Sequence, residues 1–327
     1  MILDILRQHA EGIEYQEWNA GEKIDAHMTK EGFNVRIMCD HDKTGFCFGG
    51  NKANCGTWMD KMGSSESAGN KGKPATPRDG APIELVAMQY SVLNWLAELN
   101  QKGSFKQSGV KYGEKEIKFK DWAAKIKNNF ETCFWIPEDE LEDVNYEVET
   151  ASVNRRGIYK DVYGSEEIYH DYQLRPNVCV AMAFAPEMFS VDKARICLKK
   201  VETILMEKGC MGIKTLDPND YNYRGDYHNS DDTHGINYHQ GPEWVWPVGF
   251  FLKSVLIFGD FNSKDHARQE VMKWLLPHKQ HILSFENKYQ GLPELTNSHG
   301  SVCTDGCVTQ AWSVSTIIDA LRDLYYY

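Results

Sequence analysis

The sequence lacks any apolar run approaching the roughly 18 residues that a membrane-spanning helix needs. It is short of positive charge: 36 Lys and Arg stand against 47 Asp and Glu, a formal charge of −11, and no basic stripe interrupts the excess. Nucleic acid and anionic membrane surfaces are therefore not expected partners. The nine cysteines are scattered without paired spacing, and the opening MILDILRQHAEGIEYQEW shows no basic segment followed by an apolar one. Both are read as signs of a reducing, cytoplasmic compartment. Several reaction signatures are also missing. There is no GxSxG elbow, no GxxxxGK[ST] phosphate loop and no GxGxxG after a strand, which removes the usual routes to acyl transfer and nucleotide chemistry. HExxH, paired CxxC and EF-hand patterns are absent too, so neither a metal nor another cofactor is expected.

What is present is an aromatic pool of 9 Trp, 16 Tyr and 14 Phe beside many carboxylates. Sugar clefts use that mixture, because a sugar offers an apolar ring face and hydroxyl edges. Composition alone is met more simply by an aromatic core under an acidic surface.

Two kinds of helix alternate along the chain. Residues Ile83 to Leu99 are apolar on nearly every face, whereas Phe119 to Phe134 carry one stripe: Phe119, Trp122, Ala123, Ile126, Phe130 and Cys133. The pairing repeats with Pro176 to Phe189 followed by Val191 to Met206, and again with Pro242 to Phe258 followed by Ser263 to Leu283. Pro247 and Gly249 are expected to kink or delay the third apolar helix. A largely apolar helix over Cys307 to Tyr325 closes the chain, and Asn34 to Met38 with Gly45 to Phe48 read as a short hairpin. Buried helices alternating with amphipathic ones predict an all-α fold, an (α/α)6-type toroid formed by residues 1–327 as a single domain. The last helix has no amphipathic partner and the apolar segments at 2–6 and 24–28 make a weak opening, so the ring is expected to be incomplete on its N-terminal side.

Four long polar-aromatic connections join the pairs, and loops of that length in a compact domain are usually functional or disordered. In the first, Asp60 lies between Trp58 and Lys61; an aromatic wall beside a carboxyl group raises its pKa by desolvation, as a general acid requires. An Asp capping a helix or pairing with Lys61 meets the same spacing. Glu294, among Gly, Leu and Pro in GLPELTN, is the second candidate acid, with an exposed loop Glu as the plain alternative. The third loop, Leu216 to Pro247, holds Tyr221, Tyr223, Tyr227 and Tyr238, the acids Asp226, Asp231, Asp232 and Glu243, and His228, His234 and His239. Its residue types suit polyhydroxylated ligands better than metal. Cys303 and Cys307 in CTDGC are read as reduced packing residues.

At these loops the sequence resembles the C-terminal glucosidase domain of the eukaryotic glycogen debranching enzymes. The segments NCGTWMDKMG, PATPRDG, RRGIYKD, DYQLRPN, KTLDPND, NYHQGPEWVWPVG, GLPELTN and TQAWS occur in the family's order. The resemblance implies an (α/α)6 barrel, glycogen or a branched limit dextrin as partner, and inverting hydrolysis of the α-1,6-linked glucose at a branch. It assigns Asp60 as general acid and Glu294 as general base, which calls for a carboxyl separation of roughly 6.5–9.5 Å. Trp58, Tyr238 and Trp244 become candidate cleft walls; Asp171, Arg175, His239 and Glu243 become candidate hydroxyl-binding residues. The family's glucanotransferase region and its earlier barrel helices do not align with this chain, and that N-terminal portion is a further expected partner. A non-catalytic glycogen-binding or inactive form of the domain, and an unrelated toroid using the His-rich loop for zinc, are the competing readings.

Overall fold

The computed structural model describes residues 1–17, 33–228, 230 and 235–327. The apolar segment at 24–28, with Asp231, Asp232 and His234, lies outside the described residues. Eight helices are present among them: α1 (Ile2–Glu11), α2 (Ile83–Gln101), α3 (Phe119–Phe134), α4 (Asn177–Phe184), α5 (Val191–Lys200), α6 (Trp246–Phe258), α7 (Lys264–Leu283) and α8 (Ala311–Tyr326).

The two kinds of helix seen in the sequence form two layers. The apolar helices pack side by side in the order α2, α4, α6, α8, while α3 lies on α2 and both α5 and α7 lie on α6. The α3 stripe is buried, with Trp122 donating its indole N–H to the Gly45 carbonyl at 2.7 Å. Gly249 permits a close approach of α8 to α6. A β-carbon there would stand 2.4 Å from the Thr316 carbonyl oxygen, and Thr316 Oγ1 donates to the Trp246 carbonyl at 2.8 Å. Among the described residues, α2 and α8 at the two ends share no contact of comparable extent.

Helix ends follow from local chemistry. Pro247 sits in the first turn of α6, where no N–H is needed, so the expected kink is a delayed start after the short strand Glu243–Trp244. Ser263 Oγ caps α7 by accepting from the His266 N–H at 3.1 Å. The helix expected over Pro176 to Phe189 is cut short. Pro186 holds Ala185 out of the α region (φ −143°), and the chain continues as the 3-10 turn Pro186–Met188. Likewise α8 begins at Ala311 rather than Cys307, because the preceding backbone is engaged with Glu294.

Strands are short but more numerous than the all-α expectation allowed, and that expectation is corrected to a mainly helical fold with small sheets. Ile13–Glu17, Phe33–Cys39 and Cys47–Gly49 form an antiparallel sheet that contains the expected hairpin. Its register sets Cys39 opposite Cys47, and the two form a disulfide; the other seven cysteines, Cys303 and Cys307 included, are free. Unpaired spacing thus misled for Cys39 and Cys47, since strand register rather than a sequence motif brings them together. A second sheet, in the order Ile213–Lys214, Glu243–Trp244, Leu295–Asn297, Ser301–Val302, joins the third and fourth long loops. Among the described residues no helix is long and apolar enough to cross a membrane.

Candidate active site

The site is built where the first, third and fourth loops meet the apolar helices. In the first loop Met59 is fully buried, which anchors the segment and leaves its neighbours Trp58 half-buried and Asp60 exposed. The apolar enclosure expected around Asp60 is not there. Its neighbour Lys61 instead reaches across to the third loop, with Nζ 5.1 Å from the centroid of the Tyr238 ring, a cation–π contact.

Tyr238 links that loop to the fourth. Its hydroxyl faces the Glu294 carboxylate; burial first, and then its interaction with that carboxylate, hold its ionisation far above the ordinary tyrosine range, so it stays protonated. Glu294 is half-buried and held on every side. Its backbone carbonyl accepts from Val245 N–H at 3.1 Å and its N–H donates to the Cys307 carbonyl at 2.9 Å. One carboxylate oxygen accepts from the Cys307 N–H at 3.0 Å and the other from Gln310 Nε2 at 3.1 Å. The side chain's direction is therefore fixed by two loops and the approach to α8.

Trp58 and Tyr238 belong to one aromatic cluster. The Trp58 ring meets His239, Trp244 and Trp246 edge-on at centroid distances of 5.0, 5.2 and 4.7 Å. Trp246 stacks on Trp312 at 4.2 Å, and His239 stacks on Trp244 at 4.9 Å. His239 is buried with both ring nitrogens unpartnered; burial, reinforced by the positive charge of Arg175, pushes its pKa well below the usual value and keeps the ring neutral.

Glu294, Trp58, Tyr238, His239 and Trp244 thus come together from three loops, with Asp60 exposed on the first of them between Met59 and Lys61. The remaining predicted residues support loops. Arg175 is fully buried and donates to the carbonyls of Thr215 (3.0 Å) and His239 (2.7 Å) and to the side-chain oxygens of Gln173 and Gln240. Burial lowers its pKa to about 10. Asp171 accepts from the N–H groups of Gly164 and Ser165 at 2.8 and 3.1 Å. Glu243, on the opposite strand face from Trp244, accepts from Thr296 Oγ1 at 2.9 Å and from the His299 and Gly300 N–H groups. Burial is the leading cause of the upward pKa shifts of both acids. Arg175, Asp171 and Glu243 therefore satisfy protein groups, and the hydroxyl-binding expectation is corrected to a loop-holding one. Trp246, Trp312 and Gln310 were not singled out, because no spacing in the sequence connects them with Trp58 or Glu294.

Among the described residues one metal-sized group of ligands occurs, Glu207, Cys210 and Glu243. The Lys214 ammonium already lies 2.7 Å from Glu207 and 3.7 Å from Glu243, so these carboxylates have their counter-charge.

Comparison with known proteins agrees with the resemblance. The chain is 44% identical to the glycogen debranching enzyme of Saccharomyces cerevisiae over an alignment of 347 residues, covering 99% of this chain and 22% of that protein. The chain thus spans about a fifth of the length of that relative. Neutral trehalase Nth1 from Saccharomyces cerevisiae is similar over 77% of this chain and 39% of its own, at 14% identity and a TM-score of 0.49. A GH63 mannosylglycerate hydrolase from Thermus thermophilus is similar over 77% of this chain and 46% of its own, at 12% identity and a TM-score of 0.45. The profile of the family described as amylo-alpha-1,6-glucosidase matches residues 1–319, and the chain belongs to that family.

Proposed function

We propose that this chain is a glycoside hydrolase of glycogen metabolism that releases the α-1,6-linked glucose at a branch of a limit dextrin, with inversion. In this reading Asp60, exposed on the loop that carries Trp58, delivers a proton to the leaving glycosidic oxygen, and Glu294 activates water on the opposite face of the sugar ring. Trp58, Tyr238 and Trp244 wall the sugar, and neutral His239 backs that wall by stacking on Trp244. One observation supports this most: Trp58 and Lys61, on either side of Asp60 in the chain, join the aromatic cluster that Glu294 borders, Trp58 against Trp244, Lys61 over Tyr238 and Tyr238 against Glu294. The row α2, α4, α6, α8 belongs to the inner layer of an (α/α)6-type toroid in the same reading, and the protein works in the cytoplasm on glycogen or limit dextrin.

The test is glucose release from a branched limit dextrin by the purified chain, with the anomer followed by NMR. Asp60→Asn and Glu294→Gln are each expected to lower release at least about a thousandfold with unchanged circular dichroism. Full activity in either variant, or first appearance of α-glucose, overturns the assignment. A second reading rests on the two ends of the helical row, α2 and α8, which share no extensive contact among the described residues: glycogen binding without hydrolysis. Tight binding with no glucose release selects it.

A further inference from the structure

Trp58 is the ring around which the cluster is arranged, yet it sits on a loop. What fixes it is a buried chain of polar contacts reaching back to two helices. The Trp58 indole N–H donates to Asn177 Oδ1 at 2.7 Å; Asn177 is the first residue of α4 and is completely buried. Its Nδ2 donates to Asp161 Oδ1 at 2.8 Å. The other oxygen of Asp161 accepts from Arg78 Nε at 2.7 Å, and Arg78 Nη2 donates to Glu84 of α2 at 2.6 Å.

Each member has one permitted orientation. A carboxylate only accepts, so the amide nitrogen of Asn177 must face Asp161, which leaves its oxygen toward Trp58; the indole N–H only donates. The chain is also built at a cost. Arg78 holds a positive φ of 46° without being glycine, and its guanidinium is buried between two carboxylates.

We propose that Asn177 is a positioning residue for the glucosidase site: it sets the plane of the Trp58 ring, and through it the wall that the substrate meets beside Asp60. This inference rests on the hydrolytic reading above. Asn177 reaches the sugar only through Trp58, so removing the contact changes substrate capture more than the chemical step.

Four variants of the full chain test it: Trp58→Phe, which keeps a ring and drops the N–H; Asn177→Leu, which keeps volume and drops both contacts; their combination; and Asn177→Asp with Asp161→Asn. The last exchanges amide and carboxylate while preserving total charge and an acceptor for Trp58. Each of the first two is expected to raise KM about five- to tenfold with kcat within about threefold, the size of one lost hydrogen bond. The combination should be no worse than the poorer single variant, and the exchange should return KM to within about threefold of the original. The Trp58 indole N–H resonance, identified by its loss in Trp58→Phe, should shift and exchange faster in Asn177→Leu and return in the exchange variant. Multiplying effects in the combination, or an unmoved indole resonance in Asn177→Leu, overturns the proposal; so does a folded exchange variant without recovery. Failure of the hydrolytic reading is seen separately, as no glucose release from the unaltered chain. The indole resonance and the affinity for maltotetraose, measured on the same variants, then decide the positioning role alone.

Discussion

His278 lies in α7 with 2% of its surface exposed and its Nδ1 3.2 Å from the Trp274 carbonyl. Burial pushes its pKa down to about 4 from an ordinary 6.5. Between those values the unfolded chain binds the proton and the folded chain does not, so stability falls as pH drops through that window and levels off below it. The loss is of order 3 kcal/mol. Urea midpoints at pH 7 and pH 4.5 should therefore converge in His278→Leu relative to the unaltered protein; an identical pH dependence in both would remove His278 from the acid limb. At this scale loop composition left Asp60 and Glu294 with plain alternatives, a capping or paired Asp and an exposed loop Glu, and the motif resemblance alone singled them out as candidate acids. The donors that hold Glu294 were not legible: Cys307 N–H and Gln310 Nε2 reach it through the backbone path into α8, and that path exists only in three dimensions.

Helices were read well because their boundaries are set locally. The stripe of α3 spans its observed limits, Ser263 caps α7, and Pro247 starts α6. The error over Pro176 to Phe189 has an equally local cause, the effect of Pro186 on Ala185, which continuous apolarity concealed. The packing of α6 on α8 is different. A composition argument sees Gly249 as a helix weakness, but its missing β-carbon is what admits the Thr316 backbone. Gly249→Ala should gain helix propensity and still destabilise the protein by about 1–3 kcal/mol through overpacking. Denaturant unfolding checks this, and a midpoint equal to or above the original would show that the two helices separate without penalty.

Among the described residues, both ends of the helical row carry exposed hydrophobic side chains. On α2, Leu85, Val92 and Trp95 are exposed, the last at 53%; on α8, Ile318 is 60% exposed beside Leu321 and Tyr325. Neighbouring apolar side chains of this size in water favour association and dye binding, while the net charge of −11 opposes it. Trp95→Glu combined with Ile318→Glu should lower both the fluorescence of a bound hydrophobic dye and the concentration-dependent sedimentation of the chain. Unchanged values would mean that these faces are not what the dye and the neighbouring molecules meet.

The amino-acid sequence by itself determined the helix types and most of their limits, because amphipathic period, capping residues and proline positions act over a few residues; the two candidate acids rest on the motif resemblance. Tertiary structure decided which of the polar candidates face the cluster. Arg175, Asp171 and Glu243 have the right chemistry for hydroxyls, yet each meets protein groups that loop closure brings to it, and burial leaves no solvent to take their place. It decided the Cys39–Cys47 bridge through strand register, and it joined Trp58 to Trp246 and Trp312 by packing α6 against α8 under the first loop. Long-range pairing of this kind leaves no period and no spacing in a chain, because it depends on where the helices stop.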